Sequence, residues 1–272
     1  MTARLVHAVL AAGVHNPKLI SHWREDPTLL AKQGIDPESM DLDALWKFSG
    51  LTIKVRHNGT RPDLPSTYRL MSFLGVEIEL FASYATWCAE NHRSFANTAL
   101  ERERDLIGYM EGWLDFESVE HCLLWDLIRH EYALASLRKF DPEVQHFSGS
   151  GSTFSVSAVP SVFGNIILCQ FRYNPQEIVE VVKSARPSFI ALKAAVRQFC
   201  YWRPDKAKSI KIVELDEFGY YLLSFVDGEC SLADLGKKLG CGSELGDNFF
   251  KSIGQLCELG ILILKPNPEV VS

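Results

Sequence analysis

A chain of 272 residues, 47% of them hydrophobic, carries enough apolar material for a buried core, and its length suits one large domain or two modest ones. Its formal charge of −6 and the lack of a basic stripe argue against a nucleic-acid partner, and no run of about 18 apolar residues offers itself as a membrane span. Seven cysteines, scattered and without a C-x-x-C pair, argue against a disulfide framework or a structural zinc site and fit a reducing cytoplasm.

Residues 1–14 are apolar but lack a convincing cleavage signal, so they read as an amphipathic helix. Three pairs, Asn16-Pro17, Asp26-Pro27 and Asp36-Pro37, each offer a capping side chain followed by a proline suited to a first helical position. Gly34 fits a helix stop. Residues 60–65 hold two prolines and read as a loop or extended entry. Helical spacing of apolar residues follows over 68–73, 76–89, 94–113 and 119–137. The last of these is bulky around most of its circumference, which predicts a central helix whose few polar groups, Asp126, Arg129, His130 and Glu131, pair with neighbours.

Residues 148–153 are Gly and Ser rich and read as a linker. They divide the chain into a helical domain, 1–147, and an α/β domain, 154–272. In the second domain, 154–159 alternates, 166–173 is strand-like and 176–184 is helical. Residues 198–203 and 209–215 then form a hairpin around a turn at Pro204-Asp205. Three short helices follow: 216–226, one from Ser231 to Gly240 with Asp234 completing a near capping box, and one from Ser243 to Gly260. Leu245, Phe249, Ile253, Leu256 and Leu259 form the inner side of that third helix. A strand at 261–264 closes the chain. The expected class is α+β, with a small antiparallel sheet in a winged-helix-like module at about 197–266.

Winged helices often read DNA with the third helix in the major groove. Here that helix sets Asn248, Lys251 and Gln255 against Glu244, Asp247 and Glu258, and contains no arginine, so phosphates would repel it. It carries instead a second apolar face, Phe250 and Cys257, beside Gly246 and Gly254, which keep the surface low, with Lys251 at its border. The strand before the first helix, with Ile210, Ile212, Val213 and Leu215, offers a sheet edge to an extended peptide. The plainer alternative is that Phe250 and Cys257 pack under the N-terminal domain.

These residues carry a resemblance. Leu222-Leu223-Ser224-Phe225-Val226-Asp227-Gly228, Ser231-Leu232-Ala233-Asp234-Leu235 and Leu256-Cys257-Glu258-Leu259-Gly260-Ile261-Leu262 resemble the precursor-recognition element of ribosomal peptide-modifying systems, which is similar to the small chaperone of pyrroloquinoline quinone synthesis. Tyr68-Arg69-Leu70, Phe73-Leu74-Gly75, Tyr84 and the run from Asp126 through His130 and Glu131 to Leu134 look like the helical domain of partner subunits that accompany TIM-barrel multi-iron oxidases. Those oxidases act on cysteines of precursor peptides. The resemblance implies a noncatalytic subunit of a heterodimer that binds a precursor (leader) peptide and presents its terminal cysteine. The iron belongs to the partner enzyme and no cofactor to this chain. The partner of 3-thiaglutamate biosynthesis, whose enzyme excises the cysteine β-carbon, is the nearest likeness. Partners of methanobactin-type and bufferin-type systems are the alternatives.

The residues themselves offer little catalytic chemistry. All eight histidines fall before residue 147, yet only Glu143-Val144-Gln145-His146 matches a di-iron Glu-x-x-His pair. Asp126 and His130 share a helix face and read first as an ion pair, second as metal ligands. Glu120, His121 and Cys122 are adjacent on a helix and point apart. A helical metalloenzyme and a winged-helix DNA-binding protein are the competing readings.

Overall fold

The computed structural model of the chain describes residues 3–94, 96–139, 155–205, 208–241 and 246–266. It contains helices and small antiparallel sheets, as expected, and divides into two compact units: Met1–Tyr132 with Ile178–Phe189, and Ala133–Glu177 with Ile190–Ser272. The expected linker at 148–153 and the Glu143–His146 pair lie outside the described residues.

The first unit begins with α1 (Ala3–His15), α2 (Pro17–Glu25) and α3 (Thr28–Ala31), followed by α4 (Leu42–His57). Val9, Ile20, Trp23, Leu30, Ile35 and Leu45 bury one face of each against the others. The Asn-Pro and Asp-Pro pairs behave in three ways. Pro17 starts α2, but Asn16 makes no side-chain cap. Asp26 accepts from the amide and hydroxyl of Thr28, at 3.1 and 2.6 Å. Asp36 caps a single 3-10 turn, Pro37–Ser39.

Next come α5 (Pro65–Leu74), α6 (Glu77–Glu90), α7 (Ala99–Trp113) and α8 (Val119–Lys139). Residues 60–65 make turns, and Pro65 is already the first residue of α5, its missing N–H costing nothing there. α4 packs on α6 so closely that a Cβ on Gly50 would lie 2.7 Å from both the Cβ and the amide nitrogen of Ala82. α8 is central as expected, with Leu123, Leu124, Leu127 and Ile128 fully buried. Its Glu131 carboxylate accepts from the Ser66 and Thr67 amides, at 2.9 and 2.8 Å, and so satisfies the open N-terminus of α5 from 65 residues away. Burial raises the Glu131 pKa, and those amides oppose the rise. Arg129 lies over the Trp125 ring.

The second unit holds β1 (Val159–Val162), β2 (Asn165–Phe171), the start of α9 (Pro175–Lys183), β3 (Arg197–Arg203), β4 (Lys211–Leu215), α10 (Glu217–Ser224), α11 (Leu232–Lys238), α12 (Asp247–Glu258) and β5 (Leu262–Lys265). Of the alternating stretch at 154–159, Phe154 lies outside the described residues, Val156 and Ser157 form a turn, and β1 begins at Val159. β1 pairs with β5, and β2, β3 and β4 form a three-stranded antiparallel sheet in that order.

The pleat of this sheet sorts its side chains between two cores. Cys169, Phe171, Phe199 and Tyr201 pack with Ala133 and Leu137 from the last turns of α8, and Ile210 and Ile212 join them. Cys200, Trp202, Val213 and Leu215 face the other way, toward Leu222, Leu232, Leu235, Phe249, Ile253 and Leu256 of the three helices. Asp216 caps α10 and Ser231 caps α11, the latter completed by a 2.7 Å bond from the Ser231 hydroxyl to Asp234. Ser243 and Leu245, where the third helix was expected to begin, lie outside the described residues; α12 as described starts at Asp247 with Gly246 as its N-cap. Gly246 is therefore a helix-entry glycine, not one of two inside the helix. Gly260 takes φ +79° and packs against the Trp202 ring, so α12 stops there as expected.

Candidate functional site: a strand edge beside a helix

Among the described residues, β4 is paired only with β3, from Gln198↔Leu215 to Trp202↔Lys211. Along its other side, every second residue turns a backbone N–H and C=O outward. β2, the other edge of the sheet, is likewise paired only with β3. What sets β4 apart is a groove of about 460 Å³ next to it, walled by Val213, Glu214 and Leu215 on the strand, Asp216 and Gly219 at the start of α10, and Ser252, Gln255, Leu256, Glu258 and Leu259 on α12. Its floor is apolar and its rim acidic. Glu214 is bridged by Arg197 at 3.1 Å. Asp216 accepts from the Gly219 amide at 2.7 Å.

The residues expected to bind peptide fall into five places. Val213 and Leu215 line the groove. Ile210 and Ile212 point to the opposite face of the sheet, into the core that includes α8, because successive strand residues alternate. Phe250, Lys251 and Gly254 line a more open recess of about 560 Å³ that shares Gln255 and Glu258 with the groove, and Cys257 lies in a third beside Trp202. Gly246 is exposed at the N-cap. Phe250 and Cys257 are half-buried against the core of their own unit, with the Phe250 ring edge-on to Phe249 at 5.6 Å. Burial raises the Cys257 thiol pKa.

Helix geometry explains this division. At about 100° per residue, the buried stripe of Phe249, Ile253 and Leu256 has Phe250 about 90° to one side and Leu259 about 90° to the other. The groove is on the Leu259 side. Leu259 was expected on the inner side of the helix, but it stays 45% exposed and forms part of the groove wall. Ser252, Gln255 and Leu259 were the functional candidates that sequence reasoning missed. The available signal was the centre of the apolar stripe, which leaves Leu259 at its margin.

Elsewhere, Asp126 and His130 are both buried, and burial pushes the His130 imidazole down to about 4, so it is neutral at pH 7. Among the described residues, no group of three or more His, Cys, Asp or Glu side chains is placed to hold a metal ion. No helix of the described residues is long and apolar enough to cross a membrane. No family model and no curated protein matches the chain.

Proposed function

We propose that this chain is a noncatalytic, peptide-binding subunit. Its C-terminal unit, built as a winged-helix-like module, takes an extended precursor peptide as a fourth strand beside β4. The observation that carries this reading is the outer side of β4, unpaired among the described residues, facing an open groove with an apolar floor. Backbone bonds to the edge supply affinity, and alternate side chains entering the groove supply selectivity. The acidic rim and the charge of α12 suit a polypeptide better than a phosphate backbone.

The residue pattern shared with precursor-recognition elements and with the partners of TIM-barrel multi-iron oxidases gives the reading its setting. In it, the chain forms a heterodimer with an iron-dependent peptide-cysteine oxidase and holds the peptide so that its terminal cysteine meets the metal of that enzyme. Holding both on one assembly raises the local concentration of the cysteine, with no chemistry needed from this subunit. The 3-thiaglutamate system is the favoured setting, and the methanobactin-type and bufferin-type systems are the alternatives.

The test is amide hydrogen exchange on the full chain with the precursor peptide encoded beside it. Protection is expected to rise at residues 211–215. Micromolar binding with unchanged exchange over those residues would refute strand addition. Co-purification of an iron-containing TIM-barrel protein with the tagged chain is expected in the same cells.

A further inference from the structure

Lys211, Val213 and Leu215 share one face of β4, since alternate strand residues point the same way. Val213 and Leu215 meet α12 in the groove, among Glu214, Asp216 and Glu258. At the other end of the strand, Lys211 and Lys208 border a second apolar recess of about 380 Å³, formed by Trp202, Phe163, Cys257 and Leu262. This recess is held in shape. The Trp202 indole N–H donates to the Phe163 carbonyl at 2.7 Å, and the Lys211 ammonium sits 5.0 Å above the Trp202 ring. The Lys208 ammonium makes an exposed ion pair with Asp205 at 3.5 Å, which binds it weakly.

The two ends of one short strand thus carry opposite charge. Arg197 offsets Glu214 at the acidic end, which leaves the carboxylates of Asp216 and Glu258 to set its sign. Opposite charges facing each other across adjacent strands favour pairing, and like charges oppose it.

Resting on the peptide-binding reading above, we infer that β4 selects a peptide by a charge gradient: the added strand carries a basic residue beside Leu215 and an acidic residue beside Lys211, with apolar side chains at alternate positions between them. The gradient also sets register. A slip by one residue turns the apolar set away from the groove, and a slip by two carries each charge away from its counterpart.

Three fluorescein-labelled ten-residue peptides test this on the full chain at low salt, each with threonine at every second position. On the alternate positions between, which share one face, one has lysine, valine and glutamate in that order, one has the reverse order, and one has glutamine in place of both charges. One charged peptide is expected to bind about fivefold more tightly than the other, the effect of two favourable cross-strand charge pairs. The double variant Lys211→Glu with Glu258→Lys changes two exposed residues, leaves Asp216 and Lys208 to cancel the new charges, and is expected to erase that preference. Affinities of the two charged peptides within twofold on the parent chain, or a preference unmoved by the double variant, would overturn the gradient, even with the glutamine peptide still protecting β4 amides. Failure of all three peptides to bind would remove strand addition itself, and the gradient with it.

Discussion

Leu259→Asp is the sharpest single perturbation of the proposed site. Leu259 keeps 45% of its surface exposed at the groove wall. Full burial of a leucine is worth roughly 1.5–3 kcal/mol, so a peptide covering the remainder gains about 1 kcal/mol from this side chain. Aspartate loses that gain and adds a carboxylate beside Glu258 that the peptide must desolvate, for a total of about 1–2 kcal/mol. Affinity for the precursor peptide, read by fluorescence anisotropy, is expected to fall about 5- to 30-fold. The buried half of the side chain and the new carboxylate at the C-terminus of α12 should cost the folded chain about 1 kcal/mol, so affinity is compared for the folded fraction. Phe250→Asp is the comparison. Phe250 lies on the opposite flank of α12 and packs on Phe249, so this variant is expected to lose stability while the folded fraction keeps its affinity. Leu259→Asp binding within twofold of the parent chain, or Phe250→Asp binding as weakly as Leu259→Asp, would refute the assignment of the groove.

Two further predictions concern the first unit. The same substitution, Gly→Ala, is expected to have opposite signs at two helical positions. Gly50→Ala forces its methyl into Ala82 and should cost about 1–3 kcal/mol in urea unfolding, whereas Gly108→Ala in α7 meets nothing within 4 Å and should gain up to about 1 kcal/mol. His130 has its pKa lowered from 6.5 to about 4 by burial, so the unfolded chain binds the extra proton first. Its contribution is intact above pH 6.5 and is lost as pH falls toward 4, by about 3 kcal/mol in all. Stability of the parent chain should therefore fall more steeply between pH 6.5 and 4 than that of His130→Gln, and parallel curves would count against the assignment.

Local pattern made much of the element order legible. The apolar spacing of α6 and α8, the hairpin of β3 and β4, and the caps Asp216 and Ser231 all follow from rules that act within a few residues. The strand edge was legible only in part, since the strand expected at 261–264 could have paired with it; among the described residues that strand pairs with β1 instead. The helical wall of the groove was not. Choosing between the Phe250 and Leu259 flanks of α12 requires knowing which way the helix is rolled over the sheet, and both flanks carry apolar residues. The split of the hairpin residues was legible in principle, because Ile210 and Ile212 differ in parity from Val213 and Leu215. The start of α5 at Pro65 was missed because two prolines nearby suggested a loop, although proline is at home in a first helical turn. The union of 178–189 with the first unit left no local trace. It rests on distant contacts such as the Arg69 guanidinium donating to the Ser184 carbonyl at 3.2 Å and the Phe73 ring meeting Phe189 at 5.8 Å.

That interleaving has a practical consequence for limited proteolysis. The chain passes from one unit to the other after Tyr132, after Glu177 and after Phe189. A single nick near residue 150 would leave a front fragment carrying Ala133 and Leu137, which the rear sheet needs, and a rear fragment carrying Ile178 and Val182, which are buried in the front unit. The two pieces would migrate together on a native gel and part only in denaturant, so an intact elution profile is no proof of an uncut backbone.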